Sequence, residues 1–462
     1  MEFDIFDILA PRTAEQLFLE STSVPNLMGV YLYHVHRKKA RGRDGVVPES
    51  LEHDMEDVCT RLSQKLRNGE HRFTQYRELL ASKGAGKNPR VLSIPSARDR
   101  IALRALAEFL GKVYPGARGV IPQVRVREVH EVLRKKQHKA FVRLDVKNFY
   151  PSISHSVVRD ALEKNIEDQK VIDILLRAIE TPTVLDGAPR GDLQKIGVPQ
   201  GLAISNILSE LVVSPIDEAM KRDERCEYVR YVDDVLILCS HADVEPLQQK
   251  VSELFRGYEL EVHDIKELES KSTSGDTNDG FEYLSYLFKR NRVSVKLSSV
   301  NSVESSLARK FTFYKKEQKT KGDSIFALTR CAWFVNLRIT GCVHRGIARG
   351  WLQYFRQMND MEVLKKLDIT VRQFEQRFKM PEEFQVKSFV RAYWALRQPN
   401  GRNVNYIPNF DEMSIEDVRL NLAQIIGNEK VEKLTDDQVT SRFEAIIEKE
   451  VSELEKDIGS NY

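Results

Sequence analysis

"RYVDDVLILC", Arg230 to Cys239, sets two adjacent acids, Asp233 and Asp234, inside an otherwise apolar, β-branched stretch. The alternation on either side, read over "CEYVRYVDDVLILC", predicts two strands meeting at a tight turn. Asp is tolerated at the centre of such a turn, so the pair alone admits a purely structural explanation. A third acid does not fit that explanation. Asp145 ends "AFVRLDV", a buried-strand pattern, where a carboxylate is costly unless it is paired or bound to a cation.

Working outward, "ISHSVVRDALEKNI" reads as an amphipathic helix and "GLAISNILSELVVSPIDEAMKR" as a long one. A further helix is expected near 244–257, then strands near "YELEVH" and "FEYLSYLF". Strand, helix, strand pair, helix, strand is the split βαβ order of a ferredoxin-like sheet, βαββαβ. In that sheet the end of the first strand and the hairpin turn can lie side by side, bringing three carboxylates together. A hard divalent cation, most simply Mg2+, relieves their repulsion and keeps some water for a phosphate partner. Two such ions would clamp an attacking hydroxyl and a leaving pyrophosphate, which points to nucleotidyl transfer.

The rest of the chain frames this α/β region. With 462 residues it can hold two or three domains and bury a core without disulfide or structural metal. The net charge is only +3, but Lys and Arg cluster at 37–43, 125–139 and 315–321. Such stripes suit a polyanion, although any single run is more often a solvated helix face. The five cysteines are scattered without a C-x-x-C pair, which fits a reduced compartment and argues against a zinc ribbon. No apolar run reaches bilayer-spanning length and the N-terminus lacks a signal-peptide pattern, so a soluble, intracellular protein is expected. Up to about Val113 the pattern is helical, broken by "GRDGVVP" and by "KGAGKNPRVLSIP", in which Arg90–Ile94 reads as a strand. After about residue 298 it is nearly all helical, ending in an acidic helix at 436–457.

The chain resembles a reverse transcriptase. "RLDVKNFYPSI", "GVPQGLAISN", "YVDD" and "FEYLSYLF" are similar to successive motifs of that family, in order, and "GRDGV" and "RVLSIPSARDR" extend the likeness over about residues 40–300. The texture is prokaryotic, and "PQGLAISNILSEL" is most similar to the unknown-group, defence-associated enzymes; group II intron enzymes and retrons usually carry Ser-Pro where Ser205-Asn206 stands. The resemblance implies an α+β right-hand polymerase fold: fingers over 1–139, a palm over 140–298, a helical thumb over 299–380 and a helical C-terminal extension over 381–462. It implies an RNA-directed DNA polymerase making cDNA from deoxynucleoside triphosphates with two Mg2+ ions per active site. Its template would be a noncoding RNA encoded nearby, in antiphage defence in a prokaryotic cytoplasm, and a homo-oligomer is possible. A retron-like or intron-derived enzyme and a non-catalytic RNA-binding scaffold are the alternatives. An RNA-templated RNA polymerase is opposed by Tyr150.

Carried onto these residues, Asp145, Asp233 and Asp234 would form the catalytic metal site: Asp145 and Asp233 would be the main ligands with the Val146 carbonyl, and Asp234 would tune the field or assist the metal that binds last. Tyr150 matches the aromatic gate against a ribose 2′-hydroxyl, with a core aromatic as the alternative. Gln200 would sit beside the nucleotide, with Gly201 allowing close backbone approach, although "PQG" is also a sound turn before a helix. Arg90, with Lys87 as a weaker candidate, would grip the triphosphate. Lys266, or Lys271 in its stead, would protonate departing pyrophosphate. Arg37, Lys38, Lys39 and Arg41, and Lys310, Lys315 and Lys316 on the helix bearing Phe311, Phe313 and Tyr314, are expected on nucleic acid. Tyr393, Tyr406 and Tyr462 are the C-terminal tyrosines from which protein-primed synthesis could start.

Overall fold

The computed structural model describes residues 12–36, 38, 40–82, 88–267, 270–321, 325–397 and 405–458. Arg37, Lys39, Lys87 and Tyr462 lie outside them. The chain divides into two compact units, 1–121 with 138–274, and 122–137 with 275–462.

In the first unit, strands β1 (Tyr76–Ala81) and β2 (Arg90–Ile94) form an antiparallel hairpin, from Arg77 opposite Ile94 to Ala81 opposite Arg90. Strand β4 (Thr183–Val184) adds to β1 in parallel. Asp99 anchors the hairpin's root. Its buried carboxylate accepts from the Thr74 amide at 2.8 Å and pairs with His71 and Arg98, each at 3.2 Å.

The central sheet contains β3 (Ala140–Asp145), β5 (Cys226–Tyr231), β6 (Asp234–Cys239) and β7 (Thr273–Asp276), in the order β5-β6-β3-β7. With strands taken in chain order that is 2-3-1-4, the ferredoxin-like arrangement. β6 is buried along its whole length, as "DVLILC" requires. Helices Ser205–Lys221 and Val244–Gly257 pack on the sheet through Leu208, Val212, Ile216, Leu247, Val251 and Phe255. The first of them carries Pro215, which cannot donate to the Leu211 carbonyl; the Ser214 hydroxyl does so instead at 3.0 Å.

The closing strand differs from expectation. "YELEVH" contributes a single bridge, Val262 to Val146, and the fourth strand is β7. From the charged sequence between them, His263, Lys271 and Ser272 reach Asp145.

Among the described residues the second unit is mainly helical, with two small sheets. "FEYLSYLF" is not one strand but the hairpin β8 (Phe281–Tyr283) and β9 (Tyr286–Lys289), extended by β10 (Arg292–Val295). A second hairpin, β11 (Cys342–His344) with β12 (Ile347–Arg349), interrupts the run expected to be helical. The acidic C-terminal helix, Asp436–Asp457, starts at a Thr435–Gln438 capping box. It seals a core of Val418, Leu422, Phe443, Ile447 and Leu454. Its Glu450 and Asp457 hold Arg338 at 3.0 and 2.9 Å, and all three are buried. Among the described residues no helix is long and apolar enough to cross a membrane.

Candidate active site

The β5–β6 hairpin turns through Val232 and Asp233, with Tyr231 opposite Asp234. Val232 has φ +55°, a left-handed conformation unfavourable for a β-branched residue. Its carbonyl accepts from Arg230 Nη1 at 2.8 Å. Arg230 is itself buried between Glu210 and Asp217 of the Ser205–Lys221 helix, at 2.6 and 2.7 Å, and Tyr228 donates to Asp217 at 2.9 Å. A strained turn is thus braced by a buried ionic fork.

The turn lies against the end of β3. Asp145 is the cross-strand neighbour of Asp234, and the Val146 amide donates to the Asp233 carbonyl at 3.1 Å. The three acids expected to meet do share one end of the sheet, yet their carboxylates have different partners. Asp234 is buried and gripped through two 2.8 Å bonds by Arg143, two residues before Asp145 on the same strand face. Asp145 is 3.1 Å from the Lys271 ammonium and 3.5 Å from the His263 ring. Asp233 has no ion pair within hydrogen-bonding distance among the described residues; burial, then the nearby Asp145, push its carboxyl up to about 6, with Lys271 opposing.

Among the described residues the side chains form no preformed cage of three or more His, Cys, Asp or Glu. The donor set nevertheless fits a hard cation. Asp145 and Asp233 offer two carboxylates at one place, and burial beside a second acid makes the proton-free form of Asp233 unfavourable without positive charge.

The neighbouring positions converge on this end of the unit. Tyr150 lies near enough to feel the charges of Asp233 and Arg90, and burial raises its hydroxyl above the ordinary phenol range. That hydroxyl donates to Asn206 Oδ1 at 3.3 Å. The Gln200 carbonyl accepts from the Ser93 amide of β2 at 2.7 Å. Gly201 has φ +101°, and a Cβ there would lie 3.2 Å from the Ser93 carbonyl oxygen, so the glycine admits a strand rather than leaving open space. Of the two lysines, Lys271 reaches Asp145, while Lys266 lies exposed in the preceding turn.

Lys38 and Arg41 are exposed. On the Leu297–Lys321 helix, Lys315 bonds Gln318 and Lys316 is exposed. Lys310 corrects the expectation of a nucleic-acid contact: it turns inward to Glu450 at 2.9 Å and over the Phe334 ring, while its neighbour Phe311 is buried against Phe374, Phe378 and Phe384. Tyr393 is buried, with its hydroxyl on the Met358 carbonyl, and the Tyr406 hydroxyl accepts from the Ser388 amide.

Sequence reading missed Arg143, Arg230, Glu210, Asp217 and Asn206. Arg143 carried a usable signal, being a cation two residues from Asp145 in a buried strand. Glu210 and Asp217, seven apart on one helix face, carried another.

Residues 82–288 match the family model described as "Reverse transcriptase (RNA-dependent DNA polymerase)". The chain is 28% identical over 184 residues to the "Uncharacterized 91 kDa protein in cob intron" of Schizosaccharomyces pombe, covering 38% of this chain and 22% of that protein. It is 22% identical over 322 residues to "Protein YkfC" of Escherichia coli, covering 58% and 81%. A 24% match over 184 residues to the "Putative COX1/OXI3 intron 1 protein" of Saccharomyces cerevisiae covers 37% and 21%. The chain therefore spans about a fifth of the length of these intron proteins. Among solved structures, a telomerase from Candida albicans in complex with a telomeric RNA fragment aligns at TM-score 0.42 and 13% identity, over 80% of this chain and 66% of that one. With the ferredoxin-like sheet carrying Asp145 and Asp233, the match over 82–288 makes this part of the chain a reverse transcriptase domain, the RNA-directed DNA polymerase class of nucleotidyltransferase.

Proposed function

We propose that the chain as a whole is a working RNA-directed DNA polymerase that adds deoxynucleotides to a primer by magnesium-dependent nucleotidyl transfer. The observation that carries this reading is the meeting of Asp145 and Asp233 at the joined ends of β3 and the hairpin turn. The primer 3′-oxygen attacks the α-phosphorus, the bond to the β-phosphate breaks, and the hydroxyl proton is lost as pyrophosphate departs. Magnesium, as two ions, would supply Lewis-acid stabilisation of both oxygens. Asp145, Asp233 and the Val146 carbonyl would hold it; Asp234, already paired with Arg143, would fix the sheet end and tune the field. Arg90 would bind the triphosphate, Gln200 would line the nucleotide, and Lys271 in preference to Lys266 would supply a proton to pyrophosphate. In this reading 1–139 serve as fingers, 140–298 as palm, 299–380 as thumb and 381–462 as extension, with Lys38, Arg41, Lys315 and Lys316 near nucleic acid.

The test is incorporation of labelled deoxynucleotide on an RNA template. Synthesis is expected with Mg2+, none with excess chelator, and recovery on adding Mg2+ back. A metal-independent signal, or none under any condition, would overturn the reading.

Tyr150 gives a sharper prediction. Tyr150→Ala is expected to lower the preference for deoxy- over ribonucleotides by roughly 10- to 100-fold in kcat/KM, by removing the ring that excludes the 2′-hydroxyl. Asn206→Leu, which frees the Tyr150 hydroxyl, should lower it less. Single-nucleotide kinetics with both sugars measure this; unchanged selectivity in Tyr150→Ala would leave Tyr150 as a core aromatic.

The "PQGLAISN" texture supports a role in antiphage defence, copying a noncoding RNA encoded nearby. The intron proteins among the relatives favour a second reading, an intron-derived enzyme of the same chemistry. Sequencing the cDNA made in cells with native flanking DNA separates them, since the template is then read directly.

A further inference from the structure

The β5–β6 hairpin carries Asp233 at its turn and a pair of thiols at its other end. Cys226 and Cys239 stand directly opposite each other in the strand register, so strand alternation puts both side chains on one face of the sheet. Tyr228, Val235 and Ile237 share that face and belong with both cysteines to one buried core. Pairs along an antiparallel ladder alternate between hydrogen-bonded and non-hydrogen-bonded, and Tyr231–Asp234, which closes the two-residue turn, is of the first kind. Counted back pair by pair, Cys226–Cys239 is of the second. The backbone agrees: the Cys226 amide donates to the Asp223 carbonyl at 3.2 Å, and the Cys239 carbonyl accepts from the Lys139 amide at 3.1 Å. Non-hydrogen-bonded partners are the closer ones, with Cα atoms about 4.5 Å apart, at the near end of the range of about 4.4 to 6.8 Å that a disulfide spans.

The two thiols differ in access. β5 is an edge strand of the central sheet, and Cys226 is its first residue, 9% exposed, with its Sγ in a weak 3.7 Å contact to the Asp223 carbonyl. Cys239 lies on the interior strand β6 and is fully buried. Burial pushes both thiols up, Cys226 to about 12 and Cys239 to about 11. Little thiolate then exists near neutral pH, and uncatalysed exchange at this pair should take minutes to hours.

We propose that Cys226 and Cys239 are a reversible oxidation site: a low-molecular-weight disulfide joins them in a cystine across β5 and β6, closing the hairpin that carries Asp233 into a covalent loop. In the first step the Cys226 thiolate attacks one sulfur of the small disulfide, forming a mixed disulfide and releasing one small thiolate, which takes up a proton. In the second step the Cys239 thiolate attacks the Cys226 sulfur, and the second small thiolate leaves. Two cysteine thiols are oxidised and one small disulfide is reduced to two thiols. The new bond closes a loop of roughly fifteen residues, which removes freedom from the opened hairpin and so suppresses its local unfolding. It also withdraws both sulfurs from irreversible oxidation to sulfinic and sulfonic acids. None of this requires the chain to be catalytically active.

In the test the full chain is incubated overnight with glutathione disulfide or with dithiothreitol, unfolded in N-ethylmaleimide to block free thiols, digested, and analysed by peptide mass spectrometry. After glutathione disulfide, the peptides holding Cys226 and Cys239 are expected joined and unlabelled, the link is lost on reduction, and the buried Cys59, Cys331 and Cys342 carry the label. Amides of 227–238 should exchange with deuterium at least about tenfold more slowly in the oxidised protein, with the β11–β12 hairpin unchanged. Cys239→Ser should stop at the mixed disulfide on Cys226, and Cys226→Ser should leave Cys239 a free thiol. In the wild type, a stable mixed disulfide on Cys226 would show that Cys239 cannot reach it and would overturn the proposal, as would two free thiols. Equal oxidation of Cys59, Cys331 and Cys342 would mean that unfolding had exposed the thiols, and would overturn it too.

Discussion

Asp233→Asn is expected to cut deoxynucleotide incorporation by about a thousandfold or more while leaving the protein at least as stable as the wild type without metal. The loss follows from the proposed mechanism. The amide keeps the shape of the turn but removes the charge that would hold a cation against the developing negative charge, an effect of several kcal/mol in a dry site. The stability follows from the same burial. The folded-state value of about 6 lies above the ordinary carboxylate range, so the ionised form is less favourable in the folded chain than in the unfolded one. Stability of the wild type should therefore fall as pH rises from about 4 through about 6 and level off above, by on the order of 3 kcal/mol. The amide variant should lack that fall. Thermal melts at pH 5 and pH 8, with and without Mg2+, check this: Mg2+ should raise the wild type's midpoint at pH 8 and leave the variant's unchanged. Incorporation within tenfold of wild type would sink the metal-ligand role. A variant melting far below wild type would instead mean that the charge supports the fold.

The same conflict between charge and burial explains why the site was partly legible. Asp145 and Asp233 contradict their surroundings, since a carboxylate at the end of a buried strand has no local justification and therefore points elsewhere. Strands and helices with strong periodicity were legible for the converse reason. β2, β6, Val244–Gly257 and Asp436–Asp457 each show one period, with turn or capping residues at their ends. "FEYLSYLF" was misjudged because Leu284 and Ser285 take positive φ and form a turn without glycine, asparagine or proline to announce it. The β11–β12 hairpin differs: Gly346 in "HRGI" shares positive φ with Arg345 and marks the turn, but strands of only three residues show no period.

Side-chain direction was the less legible part. Lys310 sits in a basic run and looks solvated, but its partner Glu450 lies 140 residues later, and nothing near it in the chain signals that it turns inward. Asp234 shows the same limit from the other side. As a member of a doublet it reads as a ligand like Asp233, yet strand alternation puts it on the face of Arg143, which neutralises it through a planar two-bond grip. The doublet thus divides: Asp234 is consumed in holding the sheet end, while Asp233 has no ion pair among the described residues. From sequence the two cannot be told apart without the register between β3 and β6.

Arg230→Met should lower the folding free energy by about 3–5 kcal/mol, the usual effect of removing one member of a buried ion cluster and leaving its partners charged. Glu210 and Asp217 would then face each other across a gap that methionine fills with apolar atoms, and the Val232 carbonyl would lose its donor. Urea denaturation of the variant against wild type measures this, and a change below about 1 kcal/mol would show that the cluster does not support the fold. Adding Glu210→Gln and Asp217→Asn to Arg230→Met should recover part of the loss, because no uncompensated charge then remains buried. That recovery separates the two roles of Arg230. The triple variant regains stability but still lacks the brace on the strained Val232 turn, so its incorporation rate should stay well below wild type. Arg230→Lys makes the complementary case: charge is retained, but a compact ammonium cannot span Glu210, Asp217 and the Val232 carbonyl at once. If the triple variant recovered both stability and rate, the turn would hold its shape unaided, and the placement of Asp233 would depend on the sheet alone.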